Sequence, residues 1–306
     1  MYRFGQIVFT AALLIVLGSA LSPFFPSSFS LERVEQSLSS IFFVESTTTT
    51  ALQKTYDSGE RIRVLIVPGH DDVSFGTSYK GMREATLNAE LGEALAFVLS
   101  SDPRFEPVLV RTETGYAKEF AEYFEKNDKN VRPFVAEKKK IMKDLLRSGM
   151  LEKEEGVIHN DAPDDVAYRL YSLNMWANEN GVDIVIHIHF NDYPRKARSK
   201  PGRYSGYAIY VPDRQYSNAG PSRDLAVSIA RRLSERLTPS THPQEGAVVP
   251  DQELIAVGSY NTLDPAVALI EYGYIYEPRF QGEKRAALFS DLARLTHEGL
   301  RDFFTE

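Results

Sequence analysis

Four residues of this sequence could together bind a metal ion and use it. His70 and His189 each stand at the end of an apolar, strand-like segment, in "VLIVPGH" and "DIVIHIH". Glu271 lies within the apolar run "AVALIEY", and Glu84 opens a helical pattern, where a carboxylate is favoured by the helix dipole. Two histidines and one carboxylate are the three protein ligands of a typical catalytic zinc site, in which water occupies the fourth coordination position. A second carboxylate beside them could act as a general base.

The segments that carry these residues predict an α/β fold. Five runs rich in valine and isoleucine are typical of strands, at residues 63–67, 105–110, 183–188, 207–211 and 266–272. Leucines at helical spacing predict helices around residues 87–98, 225–237 and 288–295. This alternation predicts a mostly parallel, twisted sheet covered by helices on both faces. Ligands bind such sheets beyond the carboxyl ends of the strands, so all four residues are predicted at the same edge.

Residues 115–165 do not follow this alternation. The segment is dense in charge, with "EKKKIMKDLL" and "LEKEEG", and its helical character gives way to the polar stretch "HNDAPDD". We interpret it as a charged helical insertion standing on the core. It could be a solvated decoration, or it could be a lid, a platform for a regulatory partner, or a regulatory element itself.

The first 25 residues differ in kind from the rest. An early arginine precedes an almost uninterrupted apolar run, and "GSA" provides the small residues of a signal-peptidase site. Residues 1–25 are therefore predicted to be a signal peptide or a membrane anchor, since the run is just long enough to span a bilayer. Residues 26–57 are predicted to be a Ser/Thr-rich linker, and residues 58–306 the catalytic domain. The protein would be exported and would meet the membrane only through its N-terminal segment.

Composition narrows the chemistry further. The chain has 306 residues, of which 43% are hydrophobic and 25% charged, so it can bury an ordinary core. It contains no cysteine, which excludes thiolate ligands, disulfides and cysteine nucleophiles and leaves His, Asp and Glu for a metal site. The net charge is −7 and no basic stripe is present, so nucleic acid is not an expected partner.

Five segments, taken in order, resemble the zinc-dependent N-acetylmuramoyl-L-alanine amidases of the Amidase_3 family. They are "VLIVPGH", "GMREATLNAELGEALAFVL", "PVLVRTE", "SLNMWANENGVDIVIHIHFN" and "DPAVALIEYGYIYEP". Their order and rough spacing hold from about residue 62 to residue 304, with 115–165 as an extra segment. Enzymes of this family cut the bond between the lactyl group of muramic acid and L-alanine in peptidoglycan. The resemblance therefore implies a cell-wall amidase with peptidoglycan as its substrate.

The resemblance also implies a role for each of the four residues. His70, Glu84 and His189 would bind Zn²⁺, and Glu271 would be the general base that takes a proton from water and hands it to the departing alanine amine. Taken singly, these residues have commoner structural explanations, because a histidine at a strand end or a glutamate at a helix start is usually not a ligand. Their convergence is what predicts a site.

Several positions depart from or extend the family pattern. Asp71 and Asp72 replace the glycines that usually follow the first histidine, and they could bind a ligand, contact cationic substrate groups or narrow the pocket. His187 replaces a small residue and faces the same way as His189 by strand alternation, so it could support the site, bind substrate or be a decoy ligand. Asn191 matches the family motif and is expected to orient its loop. The remaining histidines lie outside the motifs and are interpreted as non-functional: His159, His242 and His297.

Two other functions stay open on the sequence alone. One keeps the fold and the metal but changes the bond, as in another zinc amidohydrolase or a carboxypeptidase acting on peptides; Asp71, Asp72 and His187 motivate it. The other is a catalytically silent wall-binding scaffold that recruits partners through residues 115–165. The intact set of candidate ligands speaks against the scaffold.

Overall fold

The computed structural model describes residues 47–154, 156–159 and 161–305. The predicted signal peptide or anchor, and most of the predicted linker, lie outside these ranges. Among the helices of the described residues, none combines the length and the apolar character that a membrane crossing requires.

The strands occur where the apolar runs predict them, and several short ones are added. They are β1 (Ile62–Pro68), β2 (Ser78–Tyr79), β3 (Met82–Arg83), β4 (Phe105–Leu109), β5 (Arg111–Thr112), β6 (Gly115–Tyr116), β7 (Ile184–Asn191), β8 (Ala208–Pro212), β9 (Val248–Asp251) and β10 (Ala266–Tyr274). The helices are α1 (Thr49–Asp57), α2 (Glu84–Ser100), α3 (Lys118–Lys126), α4 (Asp128–Arg147), α5 (Asp164–Glu179), α6 (Ala219–Leu233) and α7 (Arg285–Thr305). Short 3-10 turns lie at Ile255–Val257, Ser259–Asn261 and Pro278–Phe280.

Six of these strands form one sheet in the order β4-β1-β7-β10-β8-β9. β4, β1, β7 and β10 are parallel, whereas β8 runs antiparallel to β10 and β9 runs parallel to β8. The mostly parallel sheet between helices is the predicted fold. Because β1, β7 and β10 are adjacent and parallel, their carboxyl ends meet at one edge, where His70, His189 and Glu271 stand.

Each face of the sheet is closed by its own apolar layer. The isoleucines of β7 point to the face covered by α2, α6 and α7, and α1 packs against α6 and α7. The alternate residues of β7 point to the other face, where Val185 belongs to the same apolar cluster as Trp176 of α5 and Phe120 of α3. Near-continuous apolar strands are typical of parallel sheets buried on both faces. His187 and His189 belong to this second face, so the site lies on the side of α3 to α5.

Residues 49–57, which the sequence analysis assigned to the linker, form helix α1 and belong to the folded domain. Leu52 is only 3% exposed. The ring of Tyr56 stacks on Phe304 of α7 with ring centroids 4.5 Å apart. The segment is polar in composition, so its place in the domain is decided by these two contacts with distant parts of the chain.

Two further boundaries differ from the prediction. Helix α6 ends at Leu233, and Leu237 is buried after the end of that helix rather than within it. The insertion was predicted at 115–165, but residue 115 lies in the β5–β6 hairpin and residue 165 in the first turn of α5. Helices α3 and α4 lie inside these bounds, and Phe120 of α3 is 1% exposed. The insertion therefore contributes to the core and is not a solvated decoration.

We expect the contacts of α1 to stabilise the domain. Tyr56→Ala removes a stacked aromatic ring and should lower the free energy of unfolding by about 1–3 kcal/mol. Urea unfolding of the purified protein measures this. Phe97→Ala is the control, because this aromatic residue on α2 is 76% exposed and its removal should change stability by about 0.5 kcal/mol or less. Equal changes in the free energy of unfolding for the two substitutions would show that α1 does not unfold cooperatively with the rest of the domain.

The contact between α6 and α7 should depend on pH. Asp302 accepts hydrogen bonds from Arg231 at 2.8 Å and from Arg232 at 2.6 and 3.0 Å. The bonds from Arg232 hold the pKa of Asp302 below its ordinary value of 3.8, although burial opposes them. A folded-state pKa below the unfolded one gives stability that is fully present above about pH 4 and is lost as the pH falls towards the folded value.

Asp302→Asn should therefore lower the urea midpoint at pH 7, and the difference from the unmutated protein should shrink below about pH 4. Asp291→Asn serves as the comparison, because Asp291 pairs with Arg236 at 2.6 Å in a more exposed position. A difference for Asp302→Asn that is the same at pH 7 and pH 3.5 would contradict the assignment of this stability to the ionised carboxylate.

Candidate active site

His70, Glu84 and His189 come together at the carboxyl edge of the sheet. Glu84 Oε1 lies 3.0 Å from His189 Nδ1, and Glu84 Oε2 lies 3.2 Å from His70 Nε2. One ligand atom from each residue lies within 4.8 Å of the others. Two imidazole nitrogens and one carboxylate oxygen are the donors of a catalytic zinc site. The three residues therefore fit the metal that the sequence predicted.

Glu84 is a carboxylate in an almost inaccessible place, with 5% of its surface exposed. Burial alone would raise its pKa, but His70 and His189 outweigh burial and lower the pKa of Glu84 well below its usual range. The backbone amides of Thr77 and Phe190 also donate to its two oxygens, at 3.1 and 3.3 Å. Glu84 is therefore held in the ionised form, which is the form that ligates a metal.

The turn that presents His70 is held by two buried side chains that the sequence analysis did not select. His70 has a φ of 61°, which is uncommon for a residue other than glycine. Arg111 donates to the carbonyls of Pro68 and Gly69 at 3.0 and 2.8 Å, and Asn88 donates to that of Gly69 at 2.9 Å. These bonds fix the backbone on the N-terminal side of His70.

Two glycines allow the ligands to approach one another. A Cβ at Gly69 would lie 2.2 Å from atoms of the His189 ring. A Cβ at Gly76 would lie 2.4 Å from Glu84 Oε2 and 2.6 Å from His70 Cδ2. All three distances are far shorter than a contact between non-bonded atoms. A side chain at either position would displace a candidate ligand.

Glu271 lies beside the ligands on the neighbouring strand. It is paired in register with His189 in the parallel ladder of β7 and β10. Its Oε2 is buried and has no hydrogen-bond partner among the described residues. Burial, with added repulsion from the Glu84 and Glu245 carboxylates, raises the pKa of Glu271 well above its usual range. A carboxyl group with a raised pKa beside a set of candidate metal ligands is a candidate general base.

Asp71 ties the loop that bears His70 to the insertion and to α5. Its Oδ1 accepts the amide of Ser74 at 2.7 Å, and its Oδ2 accepts the Tyr116 hydroxyl at 3.0 Å and lies 3.3 Å from Arg169. Burial would raise the pKa of Asp71, but the Ser74 amide and the Arg169 charge outweigh burial and lower it. Asp72 is exposed. Asp71 thus positions the loop, whereas Asp72 faces solvent.

Asn191 is held by a carboxylate that the sequence analysis missed. Its side chain donates to Glu245 Oε1 at 3.0 Å. Glu245 also accepts the hydroxyls of Tyr210 at 2.9 Å and Tyr274 at 3.1 Å. Asn191 therefore fixes the loop that contains Glu245 against the ends of the strands. In the sequence Glu245 stands in a polar loop, "HPQEG", and carries no signal of this role.

A cavity of about 740 Å³ extends from the candidate ligands towards the insertion. Its lining includes His70, His187 and His189 and, from the insertion, Met142 and Leu146. Its volume suits a ligand the size of a short peptide. His159, which the sequence analysis interpreted as non-functional, also lines this cavity. Of the described histidines, the two that do not line it are His242 and His297.

Comparison with known proteins identifies the family. Residues 64–282 match the Amidase_3 family, described as N-acetylmuramoyl-L-alanine amidase. No curated protein is similar enough in sequence to give a match. Two similar solved structures are the CwlD amidase of Clostridioides difficile in complex with the GerS lipoprotein and the amidase Ami1 of Mycobacterium smegmatis.

The first structure is 13% identical, with a TM-score of 0.50 over 80% of this chain and 99% of that one. The second is 14% identical, with a TM-score of 0.50 over 80% of this chain and 97% of that one. At these identities the two structures show a shared fold. The sequence match covers most of the chain, and the chain therefore belongs to the Amidase_3 family of N-acetylmuramoyl-L-alanine amidases.

Proposed function

We propose that this protein is a zinc-dependent amidase that hydrolyses the bond between the lactyl group of N-acetylmuramic acid and L-alanine in peptidoglycan. The observation that carries the proposal is the cluster of His70, Glu84 and His189 beside Glu271, in a chain of the amidase family. Family membership supports peptidoglycan as the substrate. The composition of the cluster supports zinc, because its donors are two nitrogens and one carboxylate oxygen.

In this proposal the chain's own residues move the proton. His70, Glu84 and His189 would hold the zinc ion, which when bound polarises a carbonyl and lowers the pKa of water. Glu271 accepts the proton of the attacking water at its unpartnered Oε2 and then gives it to the leaving amine of L-alanine. Burial raises the pKa of Glu271 above its usual range, which favours its taking up a proton.

We infer that the protein acts outside the cytoplasm, since its proposed substrate is there. Residues 1–25 would serve as the signal peptide or membrane anchor. A regulatory partner that binds residues 115–165 stays a prediction. Ile141, Met150 and Ile158 in this segment are exposed apolar side chains, with 39%, 47% and 89% of their surface accessible, and they support it.

Glu271→Gln should lower kcat by roughly 10²- to 10⁴-fold without loss of bound zinc, because it removes the proton acceptor and leaves the ligands in place. Digestion of purified peptidoglycan, followed by mass analysis of the released peptides, measures the activity, and metal analysis measures the zinc. Glu298→Gln is the control, because Glu298 forms an exposed pair with Arg294 on α7.

The same digestion separates the alternatives. An amidase releases intact stem peptides with a free L-alanine amine, and the release should stop when zinc is removed by a chelator. Shortened stem peptides still joined to muramic acid would instead indicate a carboxypeptidase. A protein that binds the wall, contains no zinc and releases nothing would indicate a scaffold. Full activity of Glu271→Gln would exclude the proposed base.

Gly69→Ala should abolish stoichiometric zinc binding, because the new Cβ would lie 2.2 Å from the His189 ring and displace it. Zinc per chain is measured after dialysis, with circular dichroism to check that the fold is retained. Gly220→Ala is the control, because a Cβ there meets nothing within 4 Å and the residue lies in helix α6. Zinc content equal in the two variants would contradict the ligand role of His189.

A further inference from the structure

The cavity extends well beyond the candidate metal ligands, and its lining contains two further imidazoles. His187 lies two residues before His189 on β7, and His159 comes from the insertion. The family resemblance assigns no role to His159, and it leaves that of His187 open. Both belong to a part of the cavity that the proposed hydrolysis does not use.

His187 is an almost completely buried polar side chain whose hydrogen-bonding capacity is unused. It is 1% exposed, and neither ring nitrogen has a hydrogen-bond partner among the described residues. A neutral imidazole offers one donor and one acceptor. Leaving these two hydrogen bonds of His187 unmade in a buried place costs free energy. Binding of a group that enters the cavity and forms them is therefore favoured.

His159 is held in one orientation by a buried carboxylate. Its Nε2 lies 2.8 Å from Asp251 Oδ2, and Asp251 is only 2% exposed. The other oxygen of Asp251 accepts the amides of Glu253 and Leu254, each at 2.8 Å. Because the carboxylate accepts, Nε2 carries the hydrogen and Nδ1 of a neutral ring is left as an acceptor. No hydrogen bond to Nδ1 is formed by the described residues.

The sheet register gives the spacing between these groups. His187 is paired with Leu269, and Leu269 is paired with Tyr210, whose ring meets that of His159 edge to face with centroids 5.4 Å apart. Two strand spacings separate His187 from Tyr210 by roughly 10 Å, and two residues along β7 separate His187 from His189 by roughly 7 Å. The Cα atoms of His189 and Tyr210 are thus roughly 12 Å apart, and His159 lies against the ring of Tyr210.

We propose that the stem peptide of the substrate lies in this cavity beneath the insertion, where His187 and His159 bind its amide groups. The inference rests on the proposed function, because the amidase reaction places L-alanine at His189 and Glu271. The residues nearest the scissile bond then reach His187. Later residues of the peptide reach His159, whose Nδ1 accepts an amide N–H. The insertion therefore favours longer muramoyl peptides over shorter ones.

Binding measured without turnover tests this. The full chain carrying Glu271→Gln and loaded with zinc is titrated calorimetrically with N-acetylmuramoyl peptides of one, two, three and four residues. Affinity should rise roughly fivefold to tenfold between the two-residue and the four-residue ligand, as one added hydrogen bond predicts. His159→Phe, which keeps a ring against Tyr210, should lose that gain and leave the affinity for the one-residue ligand unchanged.

A second substitution tests Nδ1 of His159 without replacing His159 itself. Asp251→Asn keeps an oxygen for the amides of Glu253 and Leu254, but its NH₂ donates to His159 Nε2 and so moves the ring hydrogen to Nδ1. The Asp251→Asn variant should therefore also lose the rise in affinity with peptide length. His297→Phe is the matched control, because His297 pairs with Asp102 at 2.8 Å and packs on an aromatic ring in the same way, outside the cavity.

The outcomes separate the two proposals. Affinity that does not depend on peptide length, or that His159→Phe lowers equally for all four ligands, would overturn the peptide subsite. The same losses in His297→Phe would also overturn it. Length-dependent binding that is lost in His159→Phe, together with an unmutated protein that hydrolyses none of the ligands, would retain the subsite and reject the proposed amidase reaction.

Discussion

The buried carboxylate of Glu84, held between His70 and His189, is the interaction on which the site depends. The two histidines end neighbouring strands, while Glu84 begins helix α2, so the three meet only when that helix is packed against the edge of the sheet. A buried charge is costly unless it is compensated. Here the two imidazoles and two backbone amides provide the compensation. The packing that places helix α2 against the sheet therefore also brings the three candidate ligands together.

Residues outside the candidate ligand set support the turn that bears His70. The left-handed conformation of His70 is maintained by Arg111, which also donates to the carbonyl of Ala85 at 2.7 Å and so joins the ligand-bearing turn to α2. Gly69 and Gly76 lack a Cβ, which at either position would collide with a candidate ligand. Preorganisation of this kind favours metal binding, because little ordering of the protein remains to oppose it.

The insertion forms part of the cavity beside the candidate ligands. Its apolar residues join the second face of the core, Tyr116 holds Asp71 in the loop that bears His70, and His159, which lines the cavity, is fixed by Asp251. The insertion is thus both a structural part of the domain and a wall of the cavity. The family fold positions the candidate ligands, and this segment lines the cavity beside them.

The sequence by itself determined the α/β fold, the principal strands and the candidate ligands. Periodicity and strand-end position depend on local residue order, which the sequence contains. It did not determine that α1 belongs to the domain, that Glu245 and Arg111 support the site, or that His159 lines the cavity. These features depend on contacts between residues far apart in the chain, and polar residues in polar segments have the same local pattern whether they are solvated or buried. Only the tertiary structure, which pairs His159 with Asp251 and Asn191 with Glu245, decides between those two states.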